Sequence, residues 1–402
     1  MVQALTASLM AGALLARGII GAKADPVNFA GIGGAAYEYN YTATGSFNQS
    51  IMPANFTPAG GIDTNDSSPT YHPFSDFDYQ SLSLALYHEY IEYDLFNYGL
   101  TKFSDAEFDE AGIDAEYRHL IRFMAQQEIG HIELVTNMLG PNAPKACSYQ
   151  YNFDTVGSFI DFAQTLTKWS ESGVYGFLPH LDSRAAAALL LQSITTEARQ
   201  QMSLRQLQGL FPYPVWFETG IPQSFAWSLI APFIVGCPAE NEKLVWQNFP
   251  ALHLVSPPVH TNFTNGSFPQ YPNGTYMYPA AVSTNRTFPL SLPGQSVELA
   301  WDAPGMAVGP NSSYITSTSA GTPRYAAWIS QLNVTYAPLN ITGNNSGVTY
   351  QPSSHLYNDS TQQVINGTNF LVLVDEAIPV TPFNITAINE HVVAGPLVYE
   401  SG

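Results

Sequence analysis

Between Asp78 and Leu207, apolar residues recur at helical spacing in four successive stretches, and this repetition constrains the fold more than any other feature of the chain. The first stretch, Asp78 to Leu100, places Leu82, Ala85, Leu86, Tyr93 and Phe96 on one stripe, with Gly99 near its end. The second, Asp114 to Leu139, aligns Tyr117, Leu120, Ile121, Met124, Val135 and Met138 and stops at Gly140-Pro141. A third runs from Thr155 to Ser172 through Phe159, Phe162 and Leu166, and a fourth from Ser183 to Leu207 through Leu190, Ile194 and Leu204. Each segment must bury its stripe, so four of them with modest connections predict a four-helix bundle. A shorter fifth helix is expected after Pro222, in PQSFAWSLIAPFI, with the proline in its first turn.

From about Ala251 the pattern changes. SVELAWD (296–302), RYAAWISQLNVTYAPL (324–339) and NFLVLVDEAI (369–378) are β-branched and aromatic runs between Gly, Asn and Pro turns, and they read as strands of a sandwich-like domain. Trp301, Trp328, Tyr325 and Tyr336 are expected in its core, with a sugar-binding surface built from a few of them as the alternative. The fold class is therefore α+β and multidomain. Residues 76–210 form the bundle, 211–250 a fifth helix and connector, and 251–402 a β-rich domain. Only 11% of the 402 residues are charged, and most of those lie in the bundle segment. The β-rich part must rely on neutral polar groups, and on glycans, for solubility.

Residues 4–16 form a short apolar run followed by Ala22-Lys23-Ala24, the form of a signal peptide over 1–24 with cleavage before Asp25. The run is too short to span a membrane, so no transmembrane span is expected. The C-terminal VVAGPLVYESG has no apolar tail for a lipid anchor. Residues 25–75, rich in Gly, Asn, Thr and Pro, read as an extended glycosylated leader. Glycosylation triplets occur at Asn40, Asn48, Asn55 and Asn65, then at Asn262, Asn265, Asn273, Asn285, Asn311, Asn333, Asn340, Asn344, Asn358, Asn366 and Asn384. None lies between the two groups, as expected for a compact helical domain flanked by glycosylated regions. Together these features indicate a secreted, extracellular eukaryotic glycoprotein. In that oxidising setting Cys147 and Cys237 are expected to pair, closing a long loop for on the order of 4–5 kcal/mol in the chain-entropy model. The net charge of −19 excludes a nucleic-acid partner, because phosphate binding needs a basic surface.

Carboxylates interrupt the apolar stripes. Glu89 falls at an inward step of the first helix, with Glu92 one turn on; Glu128 and His131 share one side of the second; Ser193, Glu197 and Gln200 continue the stripe of the fourth. On the third helix the inward step falls near Trp169 or Ser170, with Glu171 one residue off. A buried carboxylate is costly unless paired or metal-bound. The di-metal bundle pattern is one Glu from each of two helices and a Glu-x-x-His from each of the other two. Here Glu89, Glu128, His131 and Glu197 fit ligand roles for iron or manganese, while Gln200 and Ser170 stand at degenerate positions. The competing expectation is a metal-free polar core in which Glu89, Glu197 and charged His131 satisfy one another with Arg199 or Gln200 donating. His88 reads as a surface residue.

LSLALYHEYIEYDLFNYGL (82–100), QQEIGHIELV (126–135), SGVYGFLPHL (172–181) and ITTEARQQMSLR (194–205) resemble the ferritin-like domain of desiccation-related proteins. APFIVGCP (231–238), FPAL (249–252) and VAGPLVY (393–399) are similar to its secreted fungal branch, the Rds-type stress-response and late-sexual-development proteins. The resemblance implies a secreted ferritin-like protein with a role in stress response or development, and it carries over no enzyme activity. The leading expectation is accordingly a non-enzymatic glycoprotein with a degenerate metal centre. The alternatives are an extracellular Fe/Mn-dependent redox enzyme acting on oxygen or peroxide, and a wall-polysaccharide-binding protein. Substrate and oligomeric state are left open.

Overall fold

A computed structural model describes residues 71–255, 291–357 and 362–401. The expected signal peptide, nearly all of the leader and the triplets at Asn40, Asn48, Asn55, Asn65, Asn262, Asn265, Asn273, Asn285 and Asn358 lie outside the described residues.

The helices are α1 (Asp76–Lys102), α2 (Asp105–Glu110), α3 (Ala115–Leu139), α4 (Val156–Phe177), α5 (Arg184–Leu207) and α6 (Gln223–Ile230). Their starts are set by capping side chains. Ser75 accepts from the Asp78 N–H, Asp114 from Glu116 and Tyr117, Thr155 from Ser158, and Ser183 from Ala186. α2, too short for any periodic signal, is fixed by a reciprocal Ser104–Glu107 capping box. Asp78 also ties the bundle together: its carboxylate accepts the N–H groups of Phe74 (3.0 Å), Asp182 (2.8 Å) and Ser183 (2.9 Å), so the starts of α1 and α5 share one acceptor.

Three expectations about the helices fail for physical reasons. Tyr93 and Leu120 are exposed rather than in the stripes; on α1 the inward step after Glu89 is taken at Glu92, three residues on instead of four. α4 does not end at Ser172 but runs to Phe177 through Gly173 and Gly176. These glycines are close-approach points rather than stops: a Cβ at Gly176 would lie 1.8 Å from the Ile221 carbonyl oxygen, and one at Gly173 would lie 2.9 Å from Ala226 Cβ. Pro222 caps α6 from outside the helix rather than sitting in its first turn.

Within the bundle α1 packs on α3 and α4, α4 on α5, and α3 on α5. The strands are β1 (Ser148–Tyr149), β2 (Ile234–Gly236), β3 (Leu252–Leu254), β4 (Ser296–Trp301), β5 (Ala307–Val308), β6 (Tyr314–Ile315), β7 (Tyr325–Ser330), β8 (Asn333–Pro338), β9 (Asn340–Gly343), β10 (Ser346–Tyr350), β11 (Gly367–Val374) and β12 (Val392–Ser401). Two antiparallel four-stranded sheets, β3-β4-β10-β9 and β12-β11-β7-β8, form the expected sandwich. Cys147 and Cys237 are disulfide-bonded beside the short β1–β2 pair.

The helical and β-rich parts share one core. Ala327, Ile329, Phe370, Val372 and Val374 pack with Phe225, Trp227 and Ile230 of α6 and with the bundle interior. The alternate residues Ala326, Trp328, Leu371 and Leu373 pack with Val297, Leu299 and Trp301 of the other sheet. All eight residues of β11 are buried because this strand is covered on both faces, which accounts for the unbroken apolar run over 370–374; the buried Thr368 and Asn369 at its start are hydrogen-bonded, to Glu400 and to the Tyr399 carbonyl. Trp301 and Trp328 are core residues as expected, and the half-buried Tyr325 and Tyr336 pack against the shared core. Among the described residues no helix is long and apolar enough to cross a membrane.

Of the described triplets, Asn311, Asn340, Asn344 and Asn384 are exposed and Asn333 is half-buried. Asn366 is half-buried, with its amide nitrogen donating to the Pro214 carbonyl at 2.5 Å.

Candidate metal centre

α1, α3 and α5 bring Glu89, Glu128, His131 and Glu197 together inside the bundle, with one candidate ligand atom from each lying within 4.8 Å of all the others. All four are buried. His131 Nδ1 lies 3.0 Å from Glu128 Oε2, 3.1 Å from Glu89 Oε2 and 3.7 Å from Glu197 Oε1. The i, i+3 spacing of Glu128 and His131 on α3 places them side by side, and Glu89 and Glu197 approach from the neighbouring helices.

The other ring nitrogen settles the geometry of the histidine. Thr196 donates its single hydroxyl proton to the Ser193 carbonyl (2.7 Å), so towards His131 Nε2, at 3.0 Å, it can only accept. The Nε2 atom therefore carries hydrogen, and Nδ1 is the atom offered to the carboxylates. A metal-binding histidine ordinarily donates its outer ring N–H to an acceptor that fixes the ring, and here the Thr196 hydroxyl oxygen takes that place.

Burial opposes charge on His131, but Glu89 and Glu128 outweigh it and push the ring up to about 12. Burial raises Glu89 to about 7 against the pull of His131. It raises Glu197 well above the usual range, with Glu89 and Glu92 adding to the effect, and Glu92 likewise, with Glu128 and Glu89 adding. Without a cation, the cluster thus holds extra protons that a metal would displace.

Of the two degenerate positions, Gln200 acts through Glu128: its amide nitrogen donates to Glu128 Oε1 at 2.6 Å, leaving Gln200 Oε1 without a partner. Ser170 is buried on α4, facing Glu92. Arg199, offered above as a donor to the cluster, is exposed and lines a surface cleft instead. His88 is buried, not on the surface; it packs against the Leu84 and Ala226 backbone, and burial drives its ring down to about 3, so it is neutral. Glu171 does not join the cluster. It turns to the other side of α4, where Lys168 bonds it at 2.5 Å and also pairs with Glu218. Periodicity placed Glu92 one turn beyond Glu89 without giving it a role, and it missed Thr196 and this lysine triad, whose only sequence signal was the i, i+3 spacing of Lys168 and Glu171.

The residues present fit a bound cation. Buried carboxylate oxygens of Glu92 and Glu197 (Oε2) and the amide oxygen of Gln200 have no hydrogen-bond partner, and acceptor atoms without donors are what a cation satisfies. Carboxylates with one imidazole suit Mn²⁺ or Fe²⁺, and both cysteines are consumed in the disulfide.

The model of one known protein family, described as a ferritin-like domain, matches residues 77–210, about a third of the chain. That range begins within α1 and ends just past α5, so it takes in every helix that contributes to the cluster. A ferritin-like domain with a buried candidate metal site is present at residues 77–210.

Proposed function

We propose that this protein is a secreted glycoprotein whose ferritin-like bundle binds a divalent transition metal, manganese or iron, through Glu89, Glu128, His131 and Glu197. One observation carries the reading: three buried carboxylates and one imidazole from three helices converge on one point. When bound, such a metal supplies one-electron chemistry toward oxygen or peroxide. The chain's own residues do the rest. Thr196 holds His131 with Nδ1 inward, Gln200 holds Glu128, and the surrounding helices exclude water. The resemblance to secreted fungal stress-response and development proteins supports an extracellular or cell-wall setting and a role in those processes. The test is elemental analysis of protein purified without chelator, beside a Glu128→Ala/His131→Ala variant. Near-stoichiometric manganese or iron, lost in the variant, is expected. Less than a tenth of a metal per chain after reconstitution would leave the bundle a metal-free scaffold.

A second reading, polysaccharide binding, is favoured by the connector after α5 rather than by the β-rich core. Phe211, Tyr213, Trp216 and Phe217 are all exposed within seven residues, and the exposed Tyr357 lies edge-on to Phe217. Clustered exposed aromatics mark a binding surface, and pyranose rings stack on such faces. Retention on insoluble chitin or glucan that survives Tyr213→Ala/Trp216→Ala would remove this surface from consideration.

A further inference from the structure

β9 ends the β3-β4-β10-β9 sheet. Among the described residues it pairs with β10 alone, so the outer row of its backbone N–H and C=O groups faces solvent. All four of its residues are exposed. Ile341 lies opposite the buried Gly347, on the inner side of the sheet, yet 45% of its surface is uncovered. An open edge of this kind is a template on which a second chain can add a strand, and folded proteins ordinarily blunt it with charge, most often lysine. Here that device is missing: between Arg324 and Asp359 the sequence contains no Lys, Arg, Asp or Glu.

What the edge does carry is asparagine at both ends. Asn340 opens β9 in the triplet Asn340-Ile341-Thr342, and Asn344 stands in the two-residue turn to β10 in the triplet Asn344-Asn345-Ser346. Both are exposed, and neither side chain is hydrogen-bonded among the described residues. Asn340 lies opposite Val348, which in turn lies opposite the exposed Glu298, so it projects from the outer face of the sheet. Asn366 is the contrast, half-buried and with its amide nitrogen already committed to the Pro214 carbonyl. From these positions we infer that N-linked oligosaccharides at Asn340 and Asn344 shield the open edge of β9 and the uncovered Ile341, in place of the absent charges. A glycan joined through the amide nitrogen is bulky and hydrated. A four-residue strand is only about 13 Å long, so a glycan at each end leaves no stretch of edge on which another strand can pair.

The inference rests on the glycoprotein reading above, and the experiment separates the two. Full-length chain secreted from a eukaryotic host is mapped by peptide mass spectrometry for glycan at each triplet, and its association is followed by sedimentation velocity. Glycan is expected at Asn340 and Asn344 in most copies. The Asn340→Gln/Asn344→Gln variant should keep the wild-type circular dichroism but shift to larger sedimenting species, and adding Ile341→Lys to it should restore the wild-type profile. Either position unmodified in most copies, with glycan present at other triplets such as Asn384, overturns the inference while leaving the glycoprotein reading intact. So does a double variant that sediments as the wild type does, or one whose association Ile341→Lys leaves unchanged. No glycan at any triplet overturns both. Where the double variant is not secreted, the folded wild type and Ile341→Lys are each trimmed to single N-acetylglucosamine stubs. Association of the trimmed wild type alone is then expected, and equal behaviour of the two overturns the inference.

Discussion

His131 faces three carboxylates through Nδ1 only because Thr196 accepts from its other nitrogen, so the hydroxyl rather than the imidazole sets the ligand atom. Thr196→Val keeps the shape and deletes the acceptor. Manganese affinity is expected to fall about 10- to 100-fold with helicity unchanged, as measured by competition with a chelating dye. An equal affinity would mean that the ring needs no such support. On the other side of α4, burial raises Glu171 to about 8 against Lys168, while Glu218 stays below the ordinary range. Between the ordinary carboxylate value of 4.5 and about 8, the native state thus holds a proton that the unfolded chain lacks. Its stabilising effect is complete below 4.5 and is lost as pH rises through 8, with a slope of at most about 1.4 kcal/mol per pH unit. Urea denaturation from pH 5 to 8 should show this decline in the wild type and a flatter profile in Glu171→Gln; parallel profiles would show that Glu171 is ionised throughout. The four ligand positions were legible because each interrupts an apolar stripe. Glu92 and His88 were not, because a step of three or four residues serves a stripe equally well and only the packed neighbours choose between them.

At the scale of elements, the helix starts were readable from Asp114, Thr155 and Ser183, whose side chains cap the following turns. The end of α4 was not. A glycine after Ser172 normally argues for termination, yet Gly173 and Gly176 lie inside the helix, where α6 and the chain leading into it press against the α4 backbone. Replacing Gly176 with alanine would raise intrinsic helix propensity by about 1 kcal/mol. The Ile221 carbonyl, 1.8 Å from the new Cβ, nevertheless predicts net destabilisation of about 3 kcal/mol or more. A lowered urea midpoint tests this; a raised one would mean that the 219–222 segment gives way freely.

Among the described residues the helical and β-rich parts are joined through one shared hydrophobic cluster. α6 and one face of the β12-β11-β7-β8 sheet belong to the bundle's hydrophobic cluster, and the buried Arg205 of α5 pairs with Glu400 of β12 at 3.2 Å. A chain ending at residue 250 would expose Phe225, Trp227 and Ile230 and leave Arg205 without Glu400. It is expected to aggregate or to lose near-ultraviolet circular dichroism, whereas a cooperative, monodisperse fragment would show that the bundle folds alone. Local pattern by itself determined the helices α1, α3, α4, α5 and α6, the strands β4, β7, β8 and β11, the cysteine pairing and the four inward ligand positions, because periodicity, capping and the cost of burying charge all act within a few turns of chain. Only the tertiary structure decided that Glu92 is inward, that Glu171 pairs with Lys168 instead of joining the cluster, and that the two halves share a core. Each of these depends on which surface, distant in sequence, covers a residue, and burial of that kind is a property of packed layers rather than of any single segment.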